Sequence, residues 1–400
     1  MEQTAMKAPI DALLGTLHTH VPDLPFVAQF WDGEQRLYGE GAPAFTLIFR
    51  TSSAGRHLLS KGTLGFGEEY MNGAIDVEGD FGQLMRLGTD PRIGELSFPF
   101  WTRLLLAGRS LLFLNTIKRS TANISHHYNL GNEFYKLYLD KSMTYSCAYF
   151  RSPDDSLEQA QEQKYEHICR KLELKPGESL IDVGCGWGGM LLYAAQRHGA
   201  AATGCTLSPP QFEYTGDAIS QKGLNERVTV LLQDYRQLTG TFDKFVSIGM
   251  FEHVGRKSIP TFMQKTRSLL KLGGLGVLHT IGKDRAGPVD PWTLKYIFPG
   301  SYIPALHEIL RAMAGSGLIV TDIENLRLHY ALTLDEWRRR FEHNVDRVRE
   351  MFDEKFVRLW RMFLAGSAAG FRWGDSRLYQ ITFTRGLNNA LPLTRSFLYP

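Results

Sequence analysis

From Leu180 onward the apolar residues come in short runs, and each run is followed by a longer stretch with helical spacing. SLIDVG, AATGCTL, VTVLLQD, FDKFVSIGM and GLGVLHTIG are the runs in order. This alternation predicts an α/β fold, a doubly wound parallel sheet with helices on both faces. Two later runs, LIVTDIENL and YQITFTRG, can complete the sheet. Between them DEWRRRFEHNVDRVREMFDEKFVRLWRMF reads as helix rich in arginine. A solvated helical face is expected there, with a membrane-facing surface as the competing reading. Just upstream, Ser156-Leu-Glu-Gln159 has the spacing of a capping box, opening a helix that should run to about Leu172 before Pro176-Gly177 ends it.

The first ninety residues have a different rhythm and predict a small α+β unit. FVAQFW, then Asp32-Gly33, then RLYG is a hairpin pattern around a turn dipeptide. AFTLIFR is a further strand, and Gly62, Gly65, Gly67 and Gly73 punctuate the stretch after it. Residues 96–132 contain no Asp or Glu but carry Arg103, Arg109, Lys118 and Arg119 among leucines and aromatics. A helix packed between domains is one reading. The other is a basic amphipathic helix on an anionic membrane, where four cations at roughly 1 kcal/mol each would give reversible recruitment.

Composition narrows the class. A chain of 400 residues with 43% hydrophobic content is long enough for two domains with real cores. A net charge of +3 does not suggest a nucleic-acid partner. Cys147, Cys169, Cys185 and Cys205 form no CxxC pair, which argues against a metal site and for a reducing, cytoplasmic setting. No uninterrupted apolar stretch at the start suggests a signal peptide, and no run of about 18 uncharged apolar residues suggests a spanning helix.

Ile181-Asp-Val-Gly-Cys-Gly-Trp-Gly-Gly189 closes a predicted strand and opens a helix. Glycines there let the backbone turn tightly and approach a ligand, and the helix start offers free N–H groups. Gly184, Gly186 and Gly189 satisfy GxGxxG, so a nicotinamide cofactor is one reading. That reading expects an acid about twenty residues on, whereas the second strand ends Gly204-Cys-Thr-Leu207 and the first acid after the loop is Glu213. DVGCGWGG more closely resembles the S-adenosylmethionine loop of class I methyltransferases. Cys185 then reads as a small residue that fits the loop. Gln233-Asp234 stands where such enzymes meet the adenine, and Gln211 is the nearest substitute for the missing ribose-binding acid.

Seven motifs occur in fixed order: HHYNLGNEFY (126–135), MTYSCAYF (143–150), DVGCGWGG, TLSPPQ, LLQDYR, SIGMFEHVG (247–255) and VLHTIG. As a set they closely resemble the cyclopropane-fatty-acyl-phospholipid synthases, which include the mycolic acid cyclopropane synthases. The resemblance runs from about His126 to the C-terminus and continues more weakly through KGTLGFGEEYMNGAIDV (61–77). It implies a lipid-associated α+β domain over 1–115 and, over 116–400, a catalytic domain of the Rossmann-like class I methyltransferase fold with a helical lid and an insertion. It also implies transfer of a methylene group from S-adenosylmethionine to a cis double bond of an unsaturated phospholipid acyl chain. The enzyme would work at the inner face of the membrane, as a homodimer. The rival outcomes are a methyl or methylidene branch, or a non-catalytic lipid-binding or transfer protein.

That chemistry makes demands on side chains. An alkene is a feeble nucleophile, so the donor must be a strong electrophile, and the carbocation left on the acyl chain must lose a proton before water traps it. The pocket should therefore be dry and rich in aromatic faces, for which Tyr145, Tyr149, Phe150, Phe251, Tyr302 and Tyr330 are available. Relatives hold a bicarbonate ion as the base. Carried over by motif, its ligands are Cys147, Glu252, His279, the Ile281 amide and Tyr330, with His279 as the group that offsets the charge of Glu252. If the chain is extended at Glu252-His253, the two side chains diverge, and only Glu252 should face the site. The resemblance places Tyr128, Tyr145, Ser146, Asp182, Gly184, Gly186, Thr206, Gln211, Gln233 and Asp234 around the cofactor. Tyr128 would close over its methionine part, with HHYNLG forming a lid beside the 156–172 helix. Ser367 stands where relatives often have a second cysteine and is left out of the site. The long connection 283–317 is expected to form part of the acyl-chain entrance.

Overall fold

The computed structural model describes residues 2–89 and 130–399. The chain divides into two compact units: Met1–Ser110 with Val289–Pro299 and Leu334–Asp375, and Leu111–Pro288 with Gly300–Thr333 and Ser376–Pro400. The boundary expected after residue 115 lies outside the described residues. The division is also not one cut, because two later segments belong to the first unit.

In the first unit, β1 (Phe26–Gln29) and β2 (Gln35–Tyr38) pair antiparallel, from Phe26 opposite Tyr38 to Gln29 opposite Gln35. β3 (Phe45–Phe49) lies parallel to β1, and β4 (Ile75–Gly79) antiparallel to β3, giving the order β2-β1-β3-β4. The period-two pattern sends Phe26, Ala28 and Phe30 to one buried face. Phe26 stacks against Tyr38 at 4.8 Å and Phe45 at 5.1 Å. The later segments complete this unit. Trp292, buried in the helix Pro291–Tyr296, lies so close that a Cβ on Gly67 would come within 2.3 Å of its ring. The helix Glu354–Arg372 buries Val357, Trp360, Leu364, Ala368 and Phe371 at helical spacing. The arginine-rich stretch is thus amphipathic: Arg361 pairs with Glu342 and Arg358 sits 4.2 Å over the ring of Tyr70, while the opposite face is core.

The second unit is built on β5 (Ser179–Val183), β6 (Ala201–Thr206), β7 (Val228–Leu232), β8 (Phe242–Ile248), β9 (Leu270–Lys283), β10 (Leu318–Asn325) and β11 (Ser376–Arg385). Their order is β10-β11-β9-β8-β5-β6-β7. The sheet is mixed: β5 to β9 run parallel, as the alternation predicts, and β11 runs against its neighbours. β11 returns after the long helical excursion from the opposite end and inserts antiparallel between β9 and β10. The chain crosses to opposite sides of β5, to β6 and to β8, so a crevice opens beyond the carboxyl ends of β5 and β8. The capping box at Ser156 is formed in both directions and opens the helix Leu157–Lys171. Among the described residues no helix is long and apolar enough to cross a membrane. Residues 96–129 of the acid-free basic stretch lie outside them.

Candidate functional site

A cavity of roughly 1100 Å³, counting its open mouth, occupies that crevice. Gly184, where the chain leaves β5, has φ +87, and a Cβ there would come within 2.6 Å of Met250. The N–H groups of Gly184 and Cys185 both donate to the Cys205 carbonyl, at 3.1 and 3.0 Å, which fastens the glycine loop to the end of β6. Gly186, at φ +55, has open space where a Cβ would stand, as a loop cradling a ligand requires. Asp182, Gly184, Gly186 and Thr206 line the cavity, as do Gln211, Gln233 and Asp234 from the next two strand ends and Tyr145 and Ser146 from the preceding segment. Gln211 is buried, and its amide oxygen accepts the Thr206 hydroxyl at 2.7 Å, which places the pair where the absent acid would stand. Asp234 borders the cavity, but its carboxylate is engaged by the main-chain and guanidinium N–H groups of Arg236. Tyr128 lies outside the described residues.

Among the described residues, two buried charges in this cavity lack a carboxylate–ammonium contact. Asp182 has one carboxylate oxygen, Oδ1, without a partner among the described residues, and burial pushes its carboxyl up to about 7 against the pull of Lys164. Lys164, fully buried on the helix Leu157–Lys171, donates to Ser146 Oγ at 2.9 Å. Burial pushes its ammonium down to about 7, against Asp140, Cys147 and Asp182. Motif matching misses Lys164, although a signal for it exists. Gln161 and Lys164 interrupt the apolar face formed by Leu157, Ala160 and Ile168, where only a partnered polar group belongs.

A second cluster forms where β8 stops. β8 ends at Ile248, opposite His279, while β9 runs on to Lys283. Gly249 N–H takes the His279 carbonyl at 2.9 Å, and beyond it the Ile281 N–H has no strand partner on that side. Glu252 supplies one, its Oε1 accepting that N–H at 2.5 Å. Tyr302 N–H, from the long connection, holds the Glu252 carbonyl at 3.0 Å. The other carboxylate oxygen, Oε2, is buried and unpartnered among the described residues. Burial pushes the Glu252 carboxyl up to about 7, with the Ile281 N–H opposing.

His279, on β9, pairs in register with Gln380 on β11. Its Nδ1 lies 3.1 Å from Gln380 Nε2, while its Nε2 is buried without a partner among the described residues. Burial, with help from Lys164 and Lys171, drives the imidazole pKa well below its ordinary value. The ring is therefore neutral and cannot offset Glu252 by carrying positive charge, which corrects the role expected for it. The raised carboxyl of Glu252 is the group that retains a proton. With the Gln380 amide nitrogen facing Nδ1, the ring proton belongs on Nε2.

Cys147 is fully buried, its thiol 3.1 Å from the Ala148 carbonyl, and burial pushes its pKa up, so it is a neutral thiol. Its neighbour Ser146 borders Gly249, since a Cβ on that glycine would stand 3.8 Å from Ser146 Cβ, which brings this segment to the end of β8. Ala148 and Phe150 N–H groups donate to Thr333 and His329 on the helix Arg327–His343, and Tyr330 lies between those two contacts.

Residues 251–253 form a 3₁₀ turn, which corrects the extended geometry expected for Glu252-His253. At three residues per turn consecutive side chains diverge by about 120°. Glu252 turns to Ile281, and His253 lines the cavity beside the glycine loop, so both serve the site region. Of the aromatic candidates, Tyr145 lines the cavity. Phe251 packs against Phe262 in the core at 5.0 Å, Tyr302 donates to Glu308 at 2.6 Å, and Tyr149 is stacked between His167 and His329. Ser367 belongs to the first unit.

The family model described as mycolic acid cyclopropane synthetase matches residues 115–381, and a domain of unknown function matches residues 13–90. A probable fatty acid methyltransferase of Pseudomonas putida is 36% identical over 406 residues, covering 98% of this chain and 100% of that protein. The cyclopropane-fatty-acyl-phospholipid synthase of Escherichia coli K12 is 37% identical over 344 residues, covering 85% of this chain and 88% of that one. Among solved structures, the cyclopropane synthase MmaA2 of Mycobacterium tuberculosis aligns with a TM-score of 0.63 at 30% identity, over 66% of this chain and 98% of its own. The mycolic acid cyclopropane synthase CmaA1 complexed with SAH and CTAB aligns with a TM-score of 0.63 at 32% identity, over 66% and 98%. The chain belongs to the mycolic acid cyclopropane synthetase family, and its second unit has the fold of an S-adenosylmethionine-dependent methyltransferase.

Proposed function

We propose that the protein transfers a methylene group from S-adenosylmethionine to a cis double bond in the acyl chain of an unsaturated membrane phospholipid, closing a cyclopropane ring. S-Adenosylmethionine, when bound, supplies a methyl group made electrophilic by its sulfonium. The residues fit such a donor: the glycine loop leaves room beside β5, Thr206 and Gln211 offer neutral hydrogen-bonding groups, and Asp182 keeps a carboxylate oxygen unpartnered. Ring closure releases one proton, which a buried group has to receive. The observation that carries this reading is the pair of buried polar atoms, Glu252 Oε2 and His279 Nε2, that no group among the described residues satisfies. An unsatisfied buried polar atom costs about 1–3 kcal/mol, so two of them favour a small polar ligand. Cys147, Glu252, His279 and Tyr330 would hold bicarbonate there, with the Ile281 N–H, expected as a further ligand, instead bound to Glu252 Oε1 and fixing that carboxylate; the bicarbonate would supply the base. The acid-free basic stretch 96–132 would bring the enzyme to an anionic lipid surface.

The test is incubation with S-adenosylmethionine, bicarbonate and vesicles of unsaturated phospholipid. Mass spectrometry should show fatty acids that gain one CH2 and no further hydrogen. A gain of CH2 plus two hydrogens means a methyl branch, an outcome favoured by the likeness to a probable fatty acid methyltransferase. A methylidene branch has the same mass as the ring, and proton NMR separates them by the upfield signals of the cyclopropane. Lipid binding without any product would leave only the lipid-binding reading.

A further inference from the structure

We propose that His329 and Thr333 are positioning residues for the reaction: they fasten the Cys147–Phe150 segment to the helix that carries Tyr330, and so set the spacing of Cys147 and Tyr330 about the anion. This rests on the bicarbonate reading. Residues 147–150 belong to no strand, yet their main-chain N–H groups are taken in alternation. The Tyr149 N–H donates to the Ala160 carbonyl on the helix Leu157–Lys171 at 2.9 Å. The Ala148 and Phe150 N–H groups donate instead to Thr333 Oγ1 and His329 Nδ1, each at 3.0 Å. Such alternation is what an extended chain imposes. Two residues of extended chain advance about 6.6 Å, and four residues of helix rise about 6 Å, so acceptors at 329 and 333 match amides at 150 and 148. Both acceptors are fixed in that role. Thr333 is fully buried and gives its hydroxyl proton to the His329 carbonyl at 2.7 Å, which leaves its oxygen to accept. Burial holds the His329 imidazole pKa below its ordinary value, against Glu324, and the ring stacks on Tyr149 at 4.8 Å, so Nδ1 keeps its lone pair for Phe150. Tyr330 stands three residues before Thr333, on the same side of the helix, and the Thr333 hydroxyl also acts on the Cys147 thiol. One side chain therefore ties the two expected anion ligands together.

The experiment titrates bicarbonate into the full chain in carbon-dioxide-depleted buffer, with S-adenosylmethionine and vesicles of unsaturated phospholipid, and measures turnover. Thr333→Val keeps the shape and loses the acceptor. His329→Phe keeps a ring to stack on Tyr149 and loses Nδ1. Each should raise the half-saturating bicarbonate concentration about 3–10-fold, the scale of one lost hydrogen bond, and leave S-adenosylhomocysteine affinity by calorimetry within about threefold. Thr333→Ser and His329→Asn put an oxygen acceptor back and should recover most of the bicarbonate affinity. A wild-type bicarbonate response in both Thr333→Val and His329→Phe overturns the proposal and leaves the bicarbonate reading standing. So do Ser and Asn variants as impaired as the Val and Phe ones, because packing then explains the loss. Product made by the wild type with no response to bicarbonate overturns the bicarbonate reading and the proposal with it. Should the Val and Phe variants fail to fold, amide hydrogen exchange on the wild type decides. Protection of the Ala148 and Phe150 N–H groups comparable to the sheet supports the proposal, and free exchange at both overturns it.

Discussion

The Glu252 carboxylate does for Ile281 what one more residue pair of β8 would have done: it accepts the main-chain N–H, at 2.5 Å. A side chain replaces a strand, and it leaves its second oxygen buried without a partner among the described residues. The structural role and the proposed chemical role therefore fall on different atoms of one residue, and a substitution can separate them.

Glu252→Gln keeps an amide oxygen for the Ile281 N–H and removes the ionisable group. The fold should survive with little change in melting temperature. Product formation from unsaturated phospholipid should fall by about 100-fold or more, the scale of a lost acid–base group. Near-wild-type activity would remove Glu252 from the chemistry.

The same pair of proteins gives a signature in pH. Burial raises the Glu252 carboxyl from 4.5 to about 7, so between those values the folded chain holds a proton that the unfolded chain has lost. This contribution is fully present below pH 4.5 and is lost as pH rises through about 7. Relative to Glu252→Gln, wild-type stability should therefore fall by up to about 3 kcal/mol across that window, measured by urea unfolding. Asp182 shifts the same way but is common to both proteins and cancels.

Gln380 touches His279 at Nδ1 and so decides which ring nitrogen carries the proton. Gln380→Leu should lower turnover about tenfold through the lost hydrogen bond. Gln380→Glu should be worse, because a carboxylate would draw the proton to Nδ1 and withdraw the Nε2 donor. Nitrogen-15 shifts of the imidazole report the change directly.

All four cysteines are free and buried, and burial raises the thiol pKa at each. Thiolate is the reactive form. Iodoacetamide at neutral pH should therefore leave the native protein unmodified and label every cysteine once it is denatured, as intact-mass measurement will show.

Gly184→Ala combines a left-handed backbone with a Cβ 2.6 Å from that of Met250. The strain should cost on the order of 1–3 kcal/mol. It should weaken S-adenosylhomocysteine binding more than it lowers the melting temperature, since the loop borders the cavity.

The strands from Ser179 to Lys283, the glycine loop and the Ser156 cap are legible in the sequence because each rests on local pattern: apolar runs, turn residues and reciprocal hydrogen bonds. The reversed direction of β11 is not, because an apolar run looks the same in either orientation. The turn at Phe251–His253 is also hidden, since the few residues past a strand end carry no periodicity, and with it goes the correct placement of His253. Lys164 escapes notice for a different reason. A lysine among Glu and Gln looks solvated until the helix face it occupies is counted.

The first unit draws its interior from three stretches of chain, with Phe26 near one end and Trp360 near the other. On the ribosome, the helices Thr63–Met71 and Phe81–Thr89 of the N-terminal unit emerge early yet must wait for the helix Glu354–Arg372 before their apolar side is covered. Synthesis at about 5–20 residues per second leaves that side uncovered for tens of seconds. A fragment cut at residue 115 would never acquire the cover, so it should aggregate, while the chain stopped after residue 375 would hold all three stretches.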